Sequence, residues 1–501
     1  MKQPLIIKEI YDIGQEIDKA FNDGENIDII SIENKVKNLP TERDEFSNAS
    51  LHYYLGTMYQ DVMNQKGEDT DENKKHALRE FREALSFLND IRIKNEYNPS
   101  DPYILALHRQ LCVNYGSLLS RCNRVIPVIE YYNSAISIDP NFSKAIGNLG
   151  ISYWYYGVNL VNTQDACIVM YSAYINLKEA LKDTEYLTDE ERSLYLEYSD
   201  KIEENIPNIH SIKHIKSQSQ TYDETEKRYR KWAVENNLFL NPLNDLSGHY
   251  HNLTHDSQQL PGITMSTGEK PIFHGIFNQI KEEYIYARHL YYKSINTEGD
   301  IYYADKDTVL LESEPGVRYS IRLENLKTAY HRLYSLMDRV AYFLYLYYDL
   351  EKIGLDSKKV SFNRVCNELI KQKSADSNIW ISSLHWISND FYDKETFSAN
   401  PDAKEMRDLR NYMEHRYVTI IEDYLYSDLE RKNFYADNEN EIYYITEKRL
   451  QKLTLSLMKI VREIIMYLPL IVRVEEERRE LIRNEPSMPV FLGIYDDKWK
   501  R

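Results

Sequence analysis

An Asn-x-Gly core occurs twice, in "NYGSLLS" (Asn114 to Ser120) and "NLGISYW" (Asn148 to Trp154), and its glycines, Gly116 and Gly150, are 34 residues apart. A period of that length constrains the fold strongly, because each repeat must bury its apolar face against its neighbours. Counted from Gly116, Tyr132 and Ala135 fall at a large and a small position, and Pro140 falls where a second helix should stop. Small residues let antiparallel helices approach closely, and proline cannot continue a helix. The spacing predicts stacked helical hairpins. An earlier unit pairs "YLGTMYQ", with Gly56 and Tyr59, with "HALREFREAL" (His76 to Leu85). Between them the polar insertion "NQKGEDTDENKK" is longer than the period allows. A degenerate unit follows in "DACIVMYSAYINLKEAL", so residues 1–205 divide into about four to six repeats. The alternative is a generic helical bundle.

Composition agrees with an all-α chain of more than one domain. At 501 residues the chain exceeds one ordinary core, and its 42 % hydrophobic content is enough for real cores. Only 16 glycines and 15 prolines punctuate it, which favours long helices over a turn-rich β fold. The 43 tyrosines suit amphipathic positions at core edges. A net charge of −17 argues against coating DNA, although a few local arginines can still hold one phosphate. The four cysteines form no CxxC pair and no disulfide framework. The N-terminal segment lacks the features of a secretion signal, and runs such as "AYFLYLYYDL" fall well short of the ~20 apolar residues a membrane helix needs. A soluble, cytoplasmic protein is expected.

From Ile206 the pattern gives way to the polar, aperiodic "IPNIHSIKHIKSQSQTYDETEK", read as a linker over 206–227, with a second all-α domain over 228–501. "NQIKEEYIYARHLYYKSI" places Ile280, Tyr284, Ala287 and Tyr291 on one helical face. A long helical run beginning "IRLENLKTAYHRL" should end at Gly354, and another begins after Asn400-Pro401 as "DAKEMRDLRNYMEHRYVTIIEDYL". A last helix, "TEKRLQKLTLSLMKIVREIIMYLPLIVRVEEERRE", should kink or break at Pro469.

Within the third of these, "DLRNYMEHRY" concentrates chemistry. On a helix Arg410 and His415 lie roughly 140° apart, while Arg410–Glu414 and Asn411–His415 are i, i+4 neighbours. The four polar groups therefore form two adjacent stripes, leaving Leu409, Tyr412 and Met413 for packing. Histidine can take or give a proton near neutral pH, and arginine can bind a phosphate and its developing charge. RNA supplies its own nucleophile, the 2′-hydroxyl, so neither a serine triad nor a metal–carboxylate set is required. Among the 13 histidines only His415 has an arginine five to seven positions upstream. A solvated helix face with i, i+4 pairs is the other reading of 408–417.

The context resembles known families. The repeat period of the N-terminal part is that of tetratricopeptide (TPR) repeats. "RNYMEHR" is similar to the Arg-x4–6-His signature of HEPN domains, with the polar Asn411 after the arginine. "YRKWAVENNLFLNPLNDL" (Tyr229 to Leu246), "EEYIYARHLYYKSI", "YSLMDRVAYFLYLYY", "HWISNDF" and "LRNYMEHRY" follow in the order of a bacterial HEPN subgroup often fused to TPR-like repeats. That resemblance runs from Arg228 to the C-terminus. It implies a helical bundle that dimerises and sets two Arg/His motifs across a shared cleft, as in metal-independent endoribonucleases of toxin–antitoxin and anti-phage systems. Arg410 would bind phosphate, His415 would act as acid or base, Asn411 would orient the site, and Glu414 would position Arg410 or the cleft's other side. Asp338, in "LMDRVAY", would be the acidic residue of the preceding core helix, or else half of a solvated pair. No cofactor or metal is implied. RNA would be the substrate, and a protein inhibitor or phage-derived trigger would bind the repeats. The rivals are a non-catalytic scaffold and a nucleotide-binding partner of a nucleotidyltransferase toxin–antitoxin pair.

Weaker candidates complete the reading. His249, His251 and His255 in "GHYHNLTHD" have a zinc-like spacing but no second cluster to complete a tetrahedral site, and read as loop histidines. "NPLNDL" (Asn241 to Leu246) reads as a turn held by Asx hydrogen bonds, with a structural role. "MSTGEK" lacks the glycine spacing of a phosphate loop. The tail "VEEERRELIRNE" reads as a charged, solvated helix.

Overall fold

A computed structural model of the chain describes residues 5–65, 70–94, 98, 100–183, 185–211, 222–246, 255–264, 270–296, 303–311, 316–372, 377–391, 398–423, 441–482, 489–490, 492–494 and 497–500. The chain divides into two compact units. The first comprises Met1–Ile215, Asp245–Ser247 and Asn389–Pro401, and the second comprises Lys216–Asn244, Gly248–Ser388 and Asp402–Arg501.

The first unit is helical: α1 (Lys8–Asn22), α2 (Ile29–Lys37), α3 (Glu45–Asn64), α4 (Asp71–Lys94), α5 (Pro102–Arg121), α6 (Val125–Ile138), α7 (Ser143–Gly157), α8 (Thr163–Ala180) and α9 (Asp189–Asn205). The pairs α3–α4, α5–α6 and α7–α8 form packed hairpins. Each is closed at a glycine on its first helix. Gly56 faces the ring of Phe81, Gly116 faces Tyr132, and Gly150 faces Leu177 and the carbonyl of Ala173. A Cβ at Gly116 would meet Tyr132 at 2.9 Å, and one at Gly150 would meet Leu177 at 2.8 Å. The repeated glycines thus serve close helix approach, and the unit is consistent with a repeat array. Helix α6 ends at Ile138, just before Pro140. The polar insertion is shorter than expected. Helix α3 runs to Asn64 and α4 starts at Asp71, so "DENKK" is the first helical turn rather than loop. A buried ion cluster also belongs to this unit: Asp390, 1 % exposed, accepts from Arg82 at 2.7 and 2.9 Å and from Arg124 at 2.8 Å.

The second unit contains α10 (Glu224–Glu235), α11 (Ile272–Asn296), α12 (Ile321–Tyr347), α13 (Phe362–Lys371), α15 (Ala403–His415) and α16 (Glu447–Ile482), and the boundary between units falls within α14 (Ile379–Phe391). Its core is α12, which packs along α11 and α16. The expected face of α11, Ile280, Tyr284, Ala287 and Tyr291, is buried. Helix α12 stops at Tyr347, seven residues before Gly354. Asp349 takes a left-handed conformation at φ 51°, and the Leu350 N–H bonds the Tyr345 carbonyl at 3.0 Å. An aspartate thus fills the helix-ending position that glycine usually takes. Of the expected kink or break at Pro469, the break does not occur: α16 runs through that residue as one helix. Its charged end is also less solvated than expected: Glu475 is buried and paired with Arg478 and Arg479, and Glu476 accepts from Tyr347 at 2.7 Å.

The expected long helix after Asn400-Pro401 ends at His415. The β-branched run Val418 to Ile421 then forms a strand, as such residues favour. Strands β2 (Val317–Arg318), β3 (Tyr417–Ile421) and β4 (Ile442–Thr446) make a small sheet, with β3 antiparallel to β2 and parallel to β4. A second pair joins β1 (Ile263–Thr264) to β5 (Pro489–Val490). These short strands decorate an all-α protein.

Leu238 and Phe239 are held to the bundle by two buried arginines. Arg288 on α11 donates to Asp256 at 2.7 and 2.8 Å and to the Leu238 carbonyl at 2.8 Å, and Arg462 on α16 donates to the Phe239 carbonyl at 2.7 Å. "NPLNDL" contains the expected Asx bond, with Asn241 Oδ1 accepting from the Leu243 N–H at 2.9 Å.

Replacing Asp256 with alanine would leave Arg288 charged and unpaired inside the bundle, at a cost of about 3–5 kcal/mol in urea denaturation at neutral pH. Arg288 holds the Asp256 carboxyl below its ordinary pKa, so this stabilisation is present at neutral pH and is lost as pH falls through that lowered value. In the first unit Gly116→Ala should cost about 1–3 kcal/mol, because its methyl group lands on Tyr132.

Candidate active site

Helix α15 is held at its start and along one side. Arg449 of α16 pairs with Asp402 at 2.6 Å and with Glu405 through Nε at 3.0 Å. The hydroxyl of Tyr330, on α12, donates to the Met406 carbonyl at 2.6 Å. Ala403, Met406 and Leu409 are buried, whereas Tyr412 and Met413, expected on the packing side, are only half-buried. The ring of Tyr412 meets Tyr443 of β4 at 5.3 Å and the Arg416 guanidinium at 5.1 Å. What remains exposed is the polar end of the helix.

There the Glu414 carboxylate gathers its neighbours. Its Oε2 lies 2.9 Å from Arg410 Nη1 and 3.5 Å from His415 Nε2, and its Oε1 lies 3.4 Å from Nε2 of His331 on α12. Arg410 also donates to Asn411 Oδ1 at 3.2 Å and lies 5.8 Å from the centre of the Tyr334 ring. The His415 side chain is 72 % exposed, open to a substrate. Asp338, half-buried on α12, accepts from the Phe362 N–H at 3.2 Å. Burial raises its carboxyl above the ordinary pKa, Arg410 opposes that rise, and Glu414 adds to it.

The structure therefore brings Arg410, Asn411, Glu414 and His415 together at one helix end, with Asp338 within electrostatic reach. His331 is an addition that sequence reasoning missed. Its available signal was helical spacing: His331, Tyr334 and Asp338 stand at i, i+3 and i+7, one stripe of α12.

Residues 264–475 match the family model described as LA2681-like HEPN. This part of the chain is a HEPN domain. No curated protein and no solved structure matches the chain. The HEPN match contains α15, His331 and Asp338, and it suggests an RNA-related or nucleotide-binding function for this domain. Elsewhere, His249 and His251 lie outside the described residues, as do Met265–Glu269 of "MSTGEK". His255 is described, and burial lowers its pKa. Among the described residues no group of three or more His, Cys, Asp or Glu could hold a metal ion. Nor is any described helix long and apolar enough to cross a membrane. Burial pushes the thiols of Cys112 and Cys122 up to about 12, so neither is a ready nucleophile.

The raised Asp338 carboxyl gives a stability prediction with a defined sign. The folded state holds its proton more tightly than the unfolded chain does, so ionised Asp338 destabilises the fold as pH rises through the raised value. Asp338→Asn keeps an oxygen for the Phe362 N–H and should raise the melting temperature at pH 7.5. That gain should shrink as pH falls through the raised value and the wild-type carboxyl takes up its proton. An unchanged or lower melting temperature at pH 7.5 would contradict the assignment.

Proposed function

We propose that the protein is a metal-independent endoribonuclease whose HEPN domain cleaves RNA through Arg410 and His415. The observation that carries this reading is the contact of Arg410, Glu414 and His415 at the exposed end of α15. His415 takes the proton of the 2′-hydroxyl, the 2′-oxygen attacks phosphorus, and the bond from phosphorus to the 5′-oxygen breaks as that oxygen leaves with a proton. Arg410 binds the phosphate as charge develops on its oxygens. The expected product is a 2′,3′-cyclic phosphate or its opened form. Glu414 positions Arg410, Asn411 orients its guanidinium, and Asp338 adds a nearby negative charge. A single chain carries one such Arg/His pair, so the working form is a homodimer joined through the HEPN domains. The TPR-like repeats bind a protein inhibitor or a phage-derived trigger that sets activity, which fits a role in toxin–antitoxin or anti-phage defence.

The test compares wild type, Arg410→Ala and His415→Ala on total RNA, with and without EDTA. Each substitution should slow cleavage at least about 100-fold, the usual contribution of such groups, while EDTA changes nothing. Equal cleavage by His415→Ala and wild type, or complete loss with EDTA, would sink the proposal.

A further inference from the structure

Cleavage of RNA by its 2′-hydroxyl needs two proton transfers. A base removes the 2′-proton as the bond from the 2′-oxygen to phosphorus forms. An acid gives a proton to the 5′-oxygen as its bond to phosphorus breaks. Arg410 and His415 account for phosphate binding and for one transfer only. Resting on the ribonuclease reading above, we propose that His331 supplies the other, as the general acid of the same chain's site.

His331 faces the opposite oxygen of the carboxylate that His415 faces: Nε2 to Oε1 at 3.4 Å for His331, and Nε2 to Oε2 at 3.5 Å for His415. One carboxylate thus holds two imidazoles, one from each of two packed helices. The oxygens are not equivalent. Arg410 already lies 2.9 Å from Oε2, so its positive charge answers the negative charge on the His415 side. Oε1 faces His331 instead. That asymmetry assigns the proton donor to His331 and the proton acceptor to His415. His331 is also reachable, with its side chain 37 % exposed, whereas the neighbouring Tyr334 is buried. The charged and titratable groups around it are Glu414, Arg410 and His415 on α15, with Lys327, Tyr334 and Asp338 on its own helix. Lys327 is engaged by Glu324 at 2.7 Å.

The rival donor is a group from a second copy of the chain, and a packing role for His331 is the other alternative. A change of leaving group separates them. Once the cleavage position in an RNA oligonucleotide is mapped with wild type, the bridging 5′-oxygen there is replaced by sulfur. A thiolate leaves without a proton, so the acid becomes dispensable. His331→Gln should cleave the ordinary RNA about 100-fold more slowly than wild type, cleave the sulfur-substituted RNA at close to the wild-type rate, and lose the alkaline fall of the pH–rate profile. His415→Ala should stay impaired on both substrates. His331→Asn serves as a second variant, and an unchanged melting temperature in either one validates the rate comparison. If wild type cleaves RNA but the His331 variants match it, or slow equally on both substrates, this inference falls and the ribonuclease reading stands. If wild type cleaves no RNA, the ribonuclease reading itself fails.

Discussion

Arg449 reaches from α16 to Asp402 and Glu405 and so fixes the first turn of α15, while the Tyr330 hydroxyl holds the helix at the Met406 carbonyl. Everything at the candidate site follows from where that helix starts and stops. With Met406 and Leu409 buried, the rotation of α15 is set, and Arg410 and Glu414 turn toward α12. The β-branched run after Arg416 then converts the chain to strand, leaving His415 as the last helical residue. The small sheet therefore takes up the chain just after His415.

The period of 34 residues was legible because it records a steric demand. Tyr132 and Leu177 need a neighbouring helix surface without a side chain, and Gly116 and Gly150 provide it. The buried face of α11 was legible for the same reason, since apolar spacing and burial are one constraint seen twice. Helix ends were less legible. Asp349 closes α12 in a left-handed conformation usually met by glycine, so the visible Gly354 misled by seven residues. Pro469 looked like a break, yet α16 continues through it within a run of buried residues, where tertiary packing outweighs one lost backbone bond. The helix-to-strand switch after His415 was hidden because "YVTII" also continues the helical apolar pattern.

At the candidate site, the local part could be read and the non-local part could not. Arg410, Asn411, Glu414 and His415 lie on successive turns of one helix, so their proximity follows from spacing. The contact between His331 and Glu414 joins residues 83 positions apart and exists only because α12 and α15 pack. Nothing in a window of sequence states that packing. The same holds for Asp390, whose two arginine partners come from far earlier in the chain.

Site and scaffold also divide the energetic work. Exposed ion pairs contribute about 0–1 kcal/mol, so the Arg410–Glu414–His415 contacts add little to folding. Stability resides in groups that water barely reaches: Arg288 with Asp256, Arg462 with the Phe239 carbonyl, and the apolar core of α12 and α16. A half-exposed cluster of charges keeps a defined geometry only if the helices beneath it do not move. Asp338 stands between the two regimes. It is buried enough for its charge to strain the fold and close enough to Arg410 for that charge to be felt at the site. A carboxyl kept at an energetic cost beside a half-buried arginine is the kind of strained group that functional sites often hold.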